Sequence, residues 1–239
     1  MKILHVSDLH FTKHWYHWLS NEAPAHDLLV ISGDLLDLHN VTAHSKQIQW
    51  VSQWIDSHPR PVCVCSGNHD LEWDARTERW TPAYWLRAFD NPLVRGDGQR
   101  VMLDGLSLLT ISCTTRPKGA PADIWVVHAP PTNTAVARRP SGRDAGDPDL
   151  VASVRSHTPR VVLAGHVHDP IHWHERTEST LYLNPGHTAG APFPNHIILQ
   201  TQDMSCRFFA DQNSDESMPF EIGKPATAIE TGGVATSAA

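Results

Sequence analysis

The sequence lacks any long hydrophobic run. No stretch of its 239 residues approaches the roughly 18 to 20 consecutive apolar residues that a membrane-spanning helix needs. The apolar segment at the N-terminus is also too short for the hydrophobic region of a secretory signal, because it runs directly into Ser7 and Asp8. We therefore expect a cytoplasmic protein that has no membrane partner.

Cysteine and basic residues are scarce as well. Cys63 and Cys65 fall inside an apolar run typical of a strand, while Cys113 and Cys206 lie far from them. This scatter favours reduced, structural cysteines over a zinc-thiolate site, which needs a closer set of four ligands. Lys and Arg together number 19 against 26 Asp and Glu, so the formal net charge is −7. An acidic balance argues against a general affinity for nucleic-acid backbones, which normally needs a basic face.

Histidine, in contrast, is abundant. The 17 histidines are compatible with metal binding, although a biased composition explains the same count without a function. Hydrophobic residues make up 40% of the chain, which is enough for the core of a globular protein. We expect one domain over residues 1–210. The stretch 211–239 is rich in Ala, Thr, Gly, Ser and Pro and shows little periodicity, which predicts a flexible C-terminal tail.

Short apolar runs alternate with amphipathic segments along the first two thirds of the chain. Five runs end abruptly in polar residues, as buried strands do: 2–7, 27–32, 61–65, 124–127 and 160–164. Helices are predicted over about 43–57 and 149–156, and strand-helix-strand alternation favours an α/β architecture. From about residue 92 onward strands dominate, which predicts a second, more antiparallel sheet. Strands in this part of the chain are expected at 101–103, 106–112, 171–173, 180–183, 196–201 and 205–209.

A polar cluster follows each of the five apolar runs. The clusters are Asp8-Leu9-His10, Gly33-Asp34-Leu35-Leu36-Asp37, Gly67-Asn68-His69-Asp70, His128, and Gly165-His166-Val167-His168. Because ligands in open α/β sheets bind beyond the carboxyl ends of the strands, the five clusters are expected to gather at one rim. Carboxylates, imidazoles and one amide oxygen form a ligand set that suits Mn²⁺, Fe²⁺/Fe³⁺ or Zn²⁺.

In this order, the series D-x-H, G-D-x-x-D, G-N-H-D, H and G-H-x-H resembles the calcineurin-like metallophosphoesterase superfamily over about residues 1–200. A single block is weak evidence, but five blocks in order at strand ends are specific. His128-Ala129-Pro130-Pro131 and Asn184-Pro185-Gly186 further resemble the small, minimal prokaryotic-type members. The resemblance implies an α/β fold, a four-layer α/β/β/α sandwich with two mixed β-sheets.

The resemblance also implies two divalent metal ions and a role for each site residue. Asp8, His10 and His168 would bind the first ion. Asn68, His128 and His166 would bind the second, and Asp34 would bridge the two. The implied reaction is hydrolysis of phosphate diesters or monoesters of a small molecule, possibly a nucleotide, by attack of a metal-bridging hydroxide. His69 would protonate the leaving group, and Asp37 is the candidate to hold its ring in position.

Several residues outside these motifs have open roles. Arg138, Arg139 and Arg143 lie in the loop 129–146, where they would either clamp a phosphate or form an ordinary solvated surface. The segment 14–18, with its two tryptophans, is a candidate pocket wall that stacks on an aromatic leaving group. His187 departs from the small residue often seen after Asn-Pro-Gly in relatives.

Two other functions compete with a small-molecule phosphoesterase. A nuclease or nucleic-acid end-processing enzyme shares the motif series, but the acidic balance and the missing capping domain count against it. A non-catalytic scaffold of the same fold is expected to have broken ligands, and here all seven ligands and His69 are present. The sequence leaves open the natural substrate, diester versus monoester preference, the native metal, the oligomeric state and the pathway.

Overall fold

The computed structural model describes residues 1–87, 89–117, 121–202, 205–210 and 215–219. Within these ranges the chain forms three α-helices, α1 (Lys13–Glu22), α2 (His44–Asp56) and α3 (Pro148–His157). The strands are β1 (Lys2–Val6), β2 (Leu28–Ser32), β3 (Val62–Cys65), β4 (Glu72–Asp74), β5 (Arg79–Thr81), β6 (Val94–Arg95), β7 (Arg100–Leu103), β8 (Leu106–Thr110), β9 (Ile124–Val126), β10 (Val161–Leu163), β11 (His174–Arg176), β12 (Leu181–Leu183), β13 (His196–Gln200), β14 (Ser205–Phe209) and β15 (Asp215–Pro219). No helix in the described ranges combines the length and the apolar character that crossing a membrane requires.

The first sheet has the strand order β15-β14-β13-β1-β2-β3-β6. Strands β1, β2, β3 and β6 run parallel to one another. On the other side of β1, β13 pairs antiparallel with β1, β14 with β13, and β15 with β14. All five residues of β2 are buried, which explains its uninterrupted apolar sequence, since both faces of this strand are covered. The sheet is therefore mixed, with its parallel half formed by the N-terminal strands.

The second sheet has the order β11-β12-β10-β9-β8-β7. Its central strands β8, β9, β10 and β12 are parallel, and an antiparallel strand lies at each edge. This sheet is also mixed, rather than mainly antiparallel as the sequence pattern indicated. A separate two-stranded antiparallel ribbon, β4-β5, follows β3.

Apolar side chains divide into three clusters that define the layers. Neighbouring residues of β1 point to opposite faces, so that Leu4 packs with helices α1 and α2 while Ile3 packs between the two sheets. On the far face of the second sheet, Trp125 packs with Leu150 and Val154 of α3. The layers thus run helix, sheet, sheet, helix, which confirms the predicted four-layer sandwich of two mixed sheets.

Two of the three helices match the sequence prediction within two residues at each end. In α2 the buried Val51 and Ile55 lie one turn apart and face the first sheet. In α3 the side chain of Asp147 accepts a hydrogen bond from the backbone N–H of Asp149, and Pro148 occupies the first turn. Helix α1 was not predicted, because its sequence KHWYHWLSNE reads as an aromatic cluster more readily than as a helix.

The predicted strand at 171–173 is wrong, since the strand in this region is β11, His174–Arg176. The alternation of Ile171, His172 and Trp173 resembles a strand, but the backbone N–H of Ile171 donates to the carbonyl oxygen of Arg138 instead of a strand neighbour. Pairing with β12 begins only where His174 faces Leu183. The apolar signal at these positions comes from Trp173, which is buried between the sheets and stacks on Phe208.

The first sheet also continues past residue 210. Strand β15 pairs antiparallel with β14 from Asp215 opposite Phe209 to Pro219 opposite Ser205. The domain boundary predicted at residue 210 therefore falls within the sheet. The rest of the tail prediction, for 211–214 and 220–239, lies outside the described residues.

Replacing Leu29, which is fully buried in β2, should destabilise the fold because it leaves a cavity between the first sheet and its helices. We expect Leu29→Ala to lower the free energy of unfolding by about 2 to 5 kcal/mol in urea denaturation. Met102 is 61% exposed on β7 and provides the control. Met102→Ala should stay within about 0.5 kcal/mol of the parent. Equal losses in the two variants would contradict this account of the core.

Candidate metal centre

Loops after the strands of both sheets meet at one rim of the sandwich. After β1, the backbone N–H of Asp8 donates to the carbonyl oxygen of Gly33, the residue that follows β2. After β10, the backbone N–H of Gly165 donates to the carbonyl oxygen of His128, in the loop after β9. The two sheets are joined where the N–H of His166 donates to Asp8 Oδ2 at 3.0 Å. The predicted convergence of the polar clusters is therefore present.

Several residues of this rim have a left-handed backbone. Asp8, His10, Asp34 and His166 have φ values of 53°, 43°, 52° and 67°. This region is sparsely populated by residues that carry a Cβ, and such residues collect at functional sites where the surrounding structure holds them in place. Each of the four aims a polar side chain away from its strand and into the shared rim.

Two glycines allow the loops to approach closely. A Cβ on Gly67 would overlap the Asp34 carboxylate, and a Cβ on Gly165 would overlap the Ser7 hydroxyl. The Gly165 Cβ would also lie 2.7 Å from Asp8 Oδ2. The glycines before Asn68 and His166 are thus required by contact with the neighbouring carboxylates.

Asp8, His10 and His168 form the first ligand cluster, in which one potential ligand atom from each lies within 4.8 Å of the others. Asp8 Oδ1 lies 3.4 Å from His168 Nε2 and 3.9 Å from His10 Nε2. The two imidazole Nε2 atoms are 3.1 Å apart. The Ser7 hydroxyl donates to Asp8 Oδ2 at 2.5 Å, so that Oδ1 is the carboxylate oxygen facing the histidines.

Asp34, His128 and His166 form the second cluster, and the Asn68 amide completes it. His128 Nε2 lies 3.0 Å from Asn68 Oδ1, 3.2 Å from His166 Nδ1 and 3.3 Å from Asp34 Oδ1. The other ring nitrogen of His128, Nδ1, donates to the carbonyl oxygen of Ser32 at 2.9 Å. In the neutral ring, that hydrogen bond leaves the lone pair of Nε2 directed at the cluster, as in a histidine that ligates a metal.

Asp34 is shared between the clusters. While its Oδ1 faces His128, its Oδ2 lies 4.0 Å from His10 Nε2 in the first cluster. Asp34 Oδ1 also accepts a hydrogen bond from the backbone N–H of His69 at 2.9 Å. A third group of potential ligand atoms, from His10, Asp34 and His69, satisfies the same 4.8 Å limit. This position is the one expected of a bridging carboxylate.

The donor atoms fit a pair of divalent cations in chemistry and in spacing. Two nitrogens bound to one ion at about 2.1 Å each lie roughly 3.0 to 3.4 Å apart. The contact of 3.1 Å between His10 and His168 and that of 3.2 Å between His166 and His128 fall in this range. Imidazole nitrogens, carboxylates and an amide oxygen suit Mn²⁺, iron or Zn²⁺. The residues therefore fit the implied metals.

Buried charge shifts the pKa values of these groups strongly. Burial opposes a charged His128 ring, but the Asp34 carboxylate outweighs it and raises the pKa of His128 to about 10. Burial also opposes an ionised Asp8, yet the hydrogen bond to His168 and the charge of His128 hold the pKa of Asp8 below its usual value. Burial, followed by repulsion from His128, lowers the pKa of His166 to about 4. The site thus carries concentrated negative charge that attracts positive charge.

A pocket with a volume of about 470 Å³ lies beside the first ligand cluster, and both His69 and Asp37 line it. The ring of His69 lies 4.7 Å from that of His10, and its Nδ1 accepts a long hydrogen bond of 3.4 Å from the backbone N–H of Leu38. Asp37 Oδ1 accepts instead from the N–H of His39. Within the described ranges no hydrogen bond joins the Asp37 carboxylate to His69. The structure therefore places the contact to the His69 ring on the Leu38 backbone, next to the predicted residue.

The three loop arginines are not brought together at the pocket. Arg138 and Arg143 are exposed, and the Nε of Arg139 lies 3.5 Å from Asp169 Oδ1. Asp169 follows His168 directly, and the pKa of His168 is raised, first by its hydrogen bond to Asp8, while the charge of Arg139 opposes that shift. None of the three lines the pocket that contains His69.

The predicted aromatic wall is present in part, because Trp15 lines the pocket and Trp18 does not. Trp15 is 1% exposed, its Nε1 donates to the carbonyl oxygen of Ala191, and its ring contacts His187 at 5.0 Å. Trp18 stacks on Phe193 at 5.7 Å and does not line the pocket. Trp15 therefore lines the pocket together with several imidazoles, whereas Trp18 packs away from it. Stacking of a leaving group on Trp15 stays a prediction, whereas the position of Trp18 does not support it.

Two residues at the site had no assigned role in the sequence. Asp70 is fully buried and accepts hydrogen bonds from the backbone N–H groups of Leu36 and Gly67, so it ties together the loops that carry Asp34 and Asn68. Burial and the neighbouring Asp34 charge raise the pKa of Asp70 well above its usual value. His187 lines the pocket, and burial lowers its pKa. The available signals were the last letter of G-N-H-D and the histidine after Asn-Pro-Gly.

Solved structures share this fold at low sequence identity. A protein from Thermus thermophilus aligns with 91% of this chain and 98% of its own, at 14% identity and a TM-score of 0.56. A novel archaeal phosphodiesterase aligns with 87% of this chain and 99% of its own, at 19% identity and a TM-score of 0.50. A purple acid phosphatase from yellow lupin (Lupinus luteus) seeds aligns with 87% of this chain and 50% of its own, at 12% identity and a TM-score of 0.51. These likenesses show the fold alone.

A comparison with curated proteins gives no match. The family model for calcineurin-like phosphoesterases matches residues 1–170, a range that contains every predicted metal ligand. This family supports a metal-dependent phosphoester hydrolase as the general class of activity. With its fold, its two ligand clusters and this match in agreement, the chain belongs to the calcineurin-like phosphoesterase family.

Proposed function

We propose that this protein hydrolyses phosphate diesters or monoesters of a small molecule by means of two divalent metal ions. The observation that carries the proposal is the pair of ligand clusters that share Asp34 beside a pocket containing His69. The pocket volume of about 470 Å³ is in the range typical of small-molecule sites. The acidic balance of the chain favours such a substrate over a nucleic acid.

Asp8, His10, His168 and Asp34 would hold one ion, and Asn68, His128, His166 and Asp34 the other. Mn²⁺, iron and Zn²⁺ are the candidates. When bound, such a pair supplies Lewis-acid stabilisation of the phosphate charge and lowers the pKa of water. The contribution of the protein is to direct the lone pairs. The Ser32 carbonyl orients His128, and the Ser7 hydroxyl and the His166 N–H orient Asp8.

His69 acts on the ester oxygen that leaves. Its Nδ1 accepts from the Leu38 N–H, which in the neutral ring places the proton on Nε2. An Nε2–H group in the pocket can donate a hydrogen bond to the departing oxygen and so stabilise its developing charge. The backbone of His69 is fixed by Asp34, which couples the position of this donor to the bridging ligand.

The function is tested by incubating the Mn²⁺-loaded protein with bis(4-nitrophenyl) phosphate, 4-nitrophenyl phosphate, and single- and double-stranded DNA. We expect hydrolysis of at least one aryl phosphate, abolished by chelation of the metal and restored by its return. Cleavage of DNA in preference to both esters would favour the nuclease. Hydrolysis of none of the substrates would overturn the proposal.

Substitution of a ligand residue should reduce binding of the ion that is held by the cluster to which that residue belongs. By elemental analysis, Asn68→Ala should lose mainly the second ion, whereas Asp34→Asn should weaken both because it removes the shared charge. His172 is exposed, and His172→Ala serves as the control with unchanged metal content. If Asp34→Asn and the control bound metal equally well, the bridging assignment would be wrong.

His69→Ala should reduce kcat by about 10² to 10⁴ because it removes the donor to the leaving oxygen. Its metal content should remain that of the parent, since His69 is not assigned as a ligand. The loss should be largest for alkyl esters and smallest for 4-nitrophenyl esters, whose leaving group needs little stabilisation. A uniform loss that accompanies loss of metal would point to ligation instead.

Asp37→Asn tests which group positions His69. The Asn side chain can still accept from the His39 N–H, so if the Leu38 backbone holds the ring we expect kcat to fall by less than about tenfold. A loss as large as that of His69→Ala would instead show that the Asp37 charge is needed. Steady-state kinetics of both variants, measured in one metal buffer, decide between these outcomes.

A further inference from the structure

His187 lines the pocket but belongs to neither ligand cluster. The centroid of its ring lies 4.8 Å from that of His168 and 5.0 Å from that of Trp15. Its backbone N–H donates to the carbonyl oxygen of His168 at 2.8 Å. Gly186, immediately before it, has a φ of +65°, and a Cβ there would lie 2.6 Å from the same carbonyl oxygen. The ring is therefore held firmly against the edge of the metal centre.

One hydrogen bond fixes the tautomer of this ring. His187 Nδ1 lies 2.8 Å from the backbone carbonyl oxygen of Asp8, and because a carbonyl oxygen can only accept, Nδ1 carries the proton. In the neutral ring Nε2 then has a free lone pair.

Within the described ranges, the Nε2 atom of His187 has no hydrogen-bond partner. It is also not one of the fully buried side-chain atoms that lack a partner, so it is exposed to solvent. It is therefore accessible from the pocket. An accessible lone pair at this point accepts a hydrogen bond from a ligand and repels the oxygens of a phosphate, which are themselves acceptors. The group that it suits is a hydroxyl or an amine.

His187 and His69 are anchored on different parts of the ligand set. His69 is held by Asp34, through its backbone N–H, and His187 is held by the carbonyl oxygen of Asp8. Both rings contact His10, at 4.7 Å and 5.3 Å between centroids. A phosphate diester has one alcohol that leaves and one that is retained on phosphorus. If His69 serves the leaving alcohol, His187 is available to the retained one.

We propose that His187 Nε2 accepts a hydrogen bond from a hydroxyl or amino group on the retained alcohol of a phosphodiester, and so selects diesters of polyols and similar alcohols. This inference rests on the proposed phosphoesterase function. It assigns His187 as a specificity-determining residue, not as a metal ligand.

The test compares two chromogenic diesters that differ only in the retained alcohol, 4-nitrophenyl 2,3-dihydroxypropyl phosphate and 4-nitrophenyl propyl phosphate. For the parent enzyme we expect kcat/KM to favour the dihydroxypropyl diester by about tenfold. In His187→Asn, the side-chain amide can replace Nδ1 as donor to Asp8 but places no atom at Nε2, so the preference should disappear. His187→Gln presents an acceptor near Nε2 and should retain part of the preference.

Metal content and product binding separate the possible failures. Elemental analysis should give the same metal content for the parent and His187→Asn, and a loss of metal would overturn the assignment in favour of ligation. A parent enzyme without preference, or a preference that survives in His187→Asn, would also overturn it. If neither diester is hydrolysed, the diesterase form of the proposed function fails, while the monoesterase form is tested separately with 4-nitrophenyl phosphate. Calorimetric binding of glycerol 1-phosphate against propyl phosphate to the metal-loaded protein then decides the inference. Equal binding, or binding of neither, would then refute it.

Discussion

Asp8 and Asp34 are carboxylates buried at the rim where the two sheets meet, and their charge has to be compensated without access to bulk water. The surrounding structure supplies this compensation with imidazoles, backbone N–H groups and one hydroxyl. The requirement reaches into the backbone, because Gly67 and Gly165 are the residues that let the neighbouring loops close on these carboxylates. A pair of divalent cations would answer the same requirement more completely than protons on histidines do.

The same constraint explains why a further carboxylate lies so near. Asp70 is as buried as Asp8, yet it accepts two backbone N–H groups and faces no imidazole at hydrogen-bond distance in the described ranges. Its raised pKa shows that a third negative charge here is unfavourable, first through burial and then through Asp34. Two carboxylates face the candidate ligand clusters and a third one braces the loops, which are different tasks for the same chemical group.

Sequence reasoning succeeded where signals were repeated and failed where a single residue decided the outcome. The strand ends at Asp8, Asp34, Asn68 and His166 could be predicted, because each carries the same arrangement of an apolar run, a tight turn and a polar cluster. The strand near Trp173 was predicted too early in the sequence, because burial between the sheets produces the same apolar pattern as β pairing. Helix α1 was missed since its His and Trp residues are poor helix formers that tertiary packing stabilises.

Side-chain contacts were the part of the site that sequence could least specify. The order of motifs implied that Asp37 would hold His69, but the choice between Asp37 and the adjacent Leu38 N–H depends on the rotation of one loop. Similarly, the position of His187 depends on a turn in which the Asn184 amide donates to the distant carbonyl oxygens of Gly165 and Val167 and accepts from the backbone N–H of Gly186. Patterns along a chain report burial and turns, whereas the direction of a ring nitrogen is set in three dimensions.

The pairing of β1 with β13 has a consequence for biosynthesis. Residues 2–6 carry the Asp8 loop at their end, yet one of their two strand neighbours is formed by residues 196–200. On the ribosome, the second edge of the first strand therefore stays uncovered until residues 196–200 have been made, and the candidate ligands from 128–168 are made within the same interval. A nascent chain that ends before His166 therefore carries only part of each candidate ligand cluster.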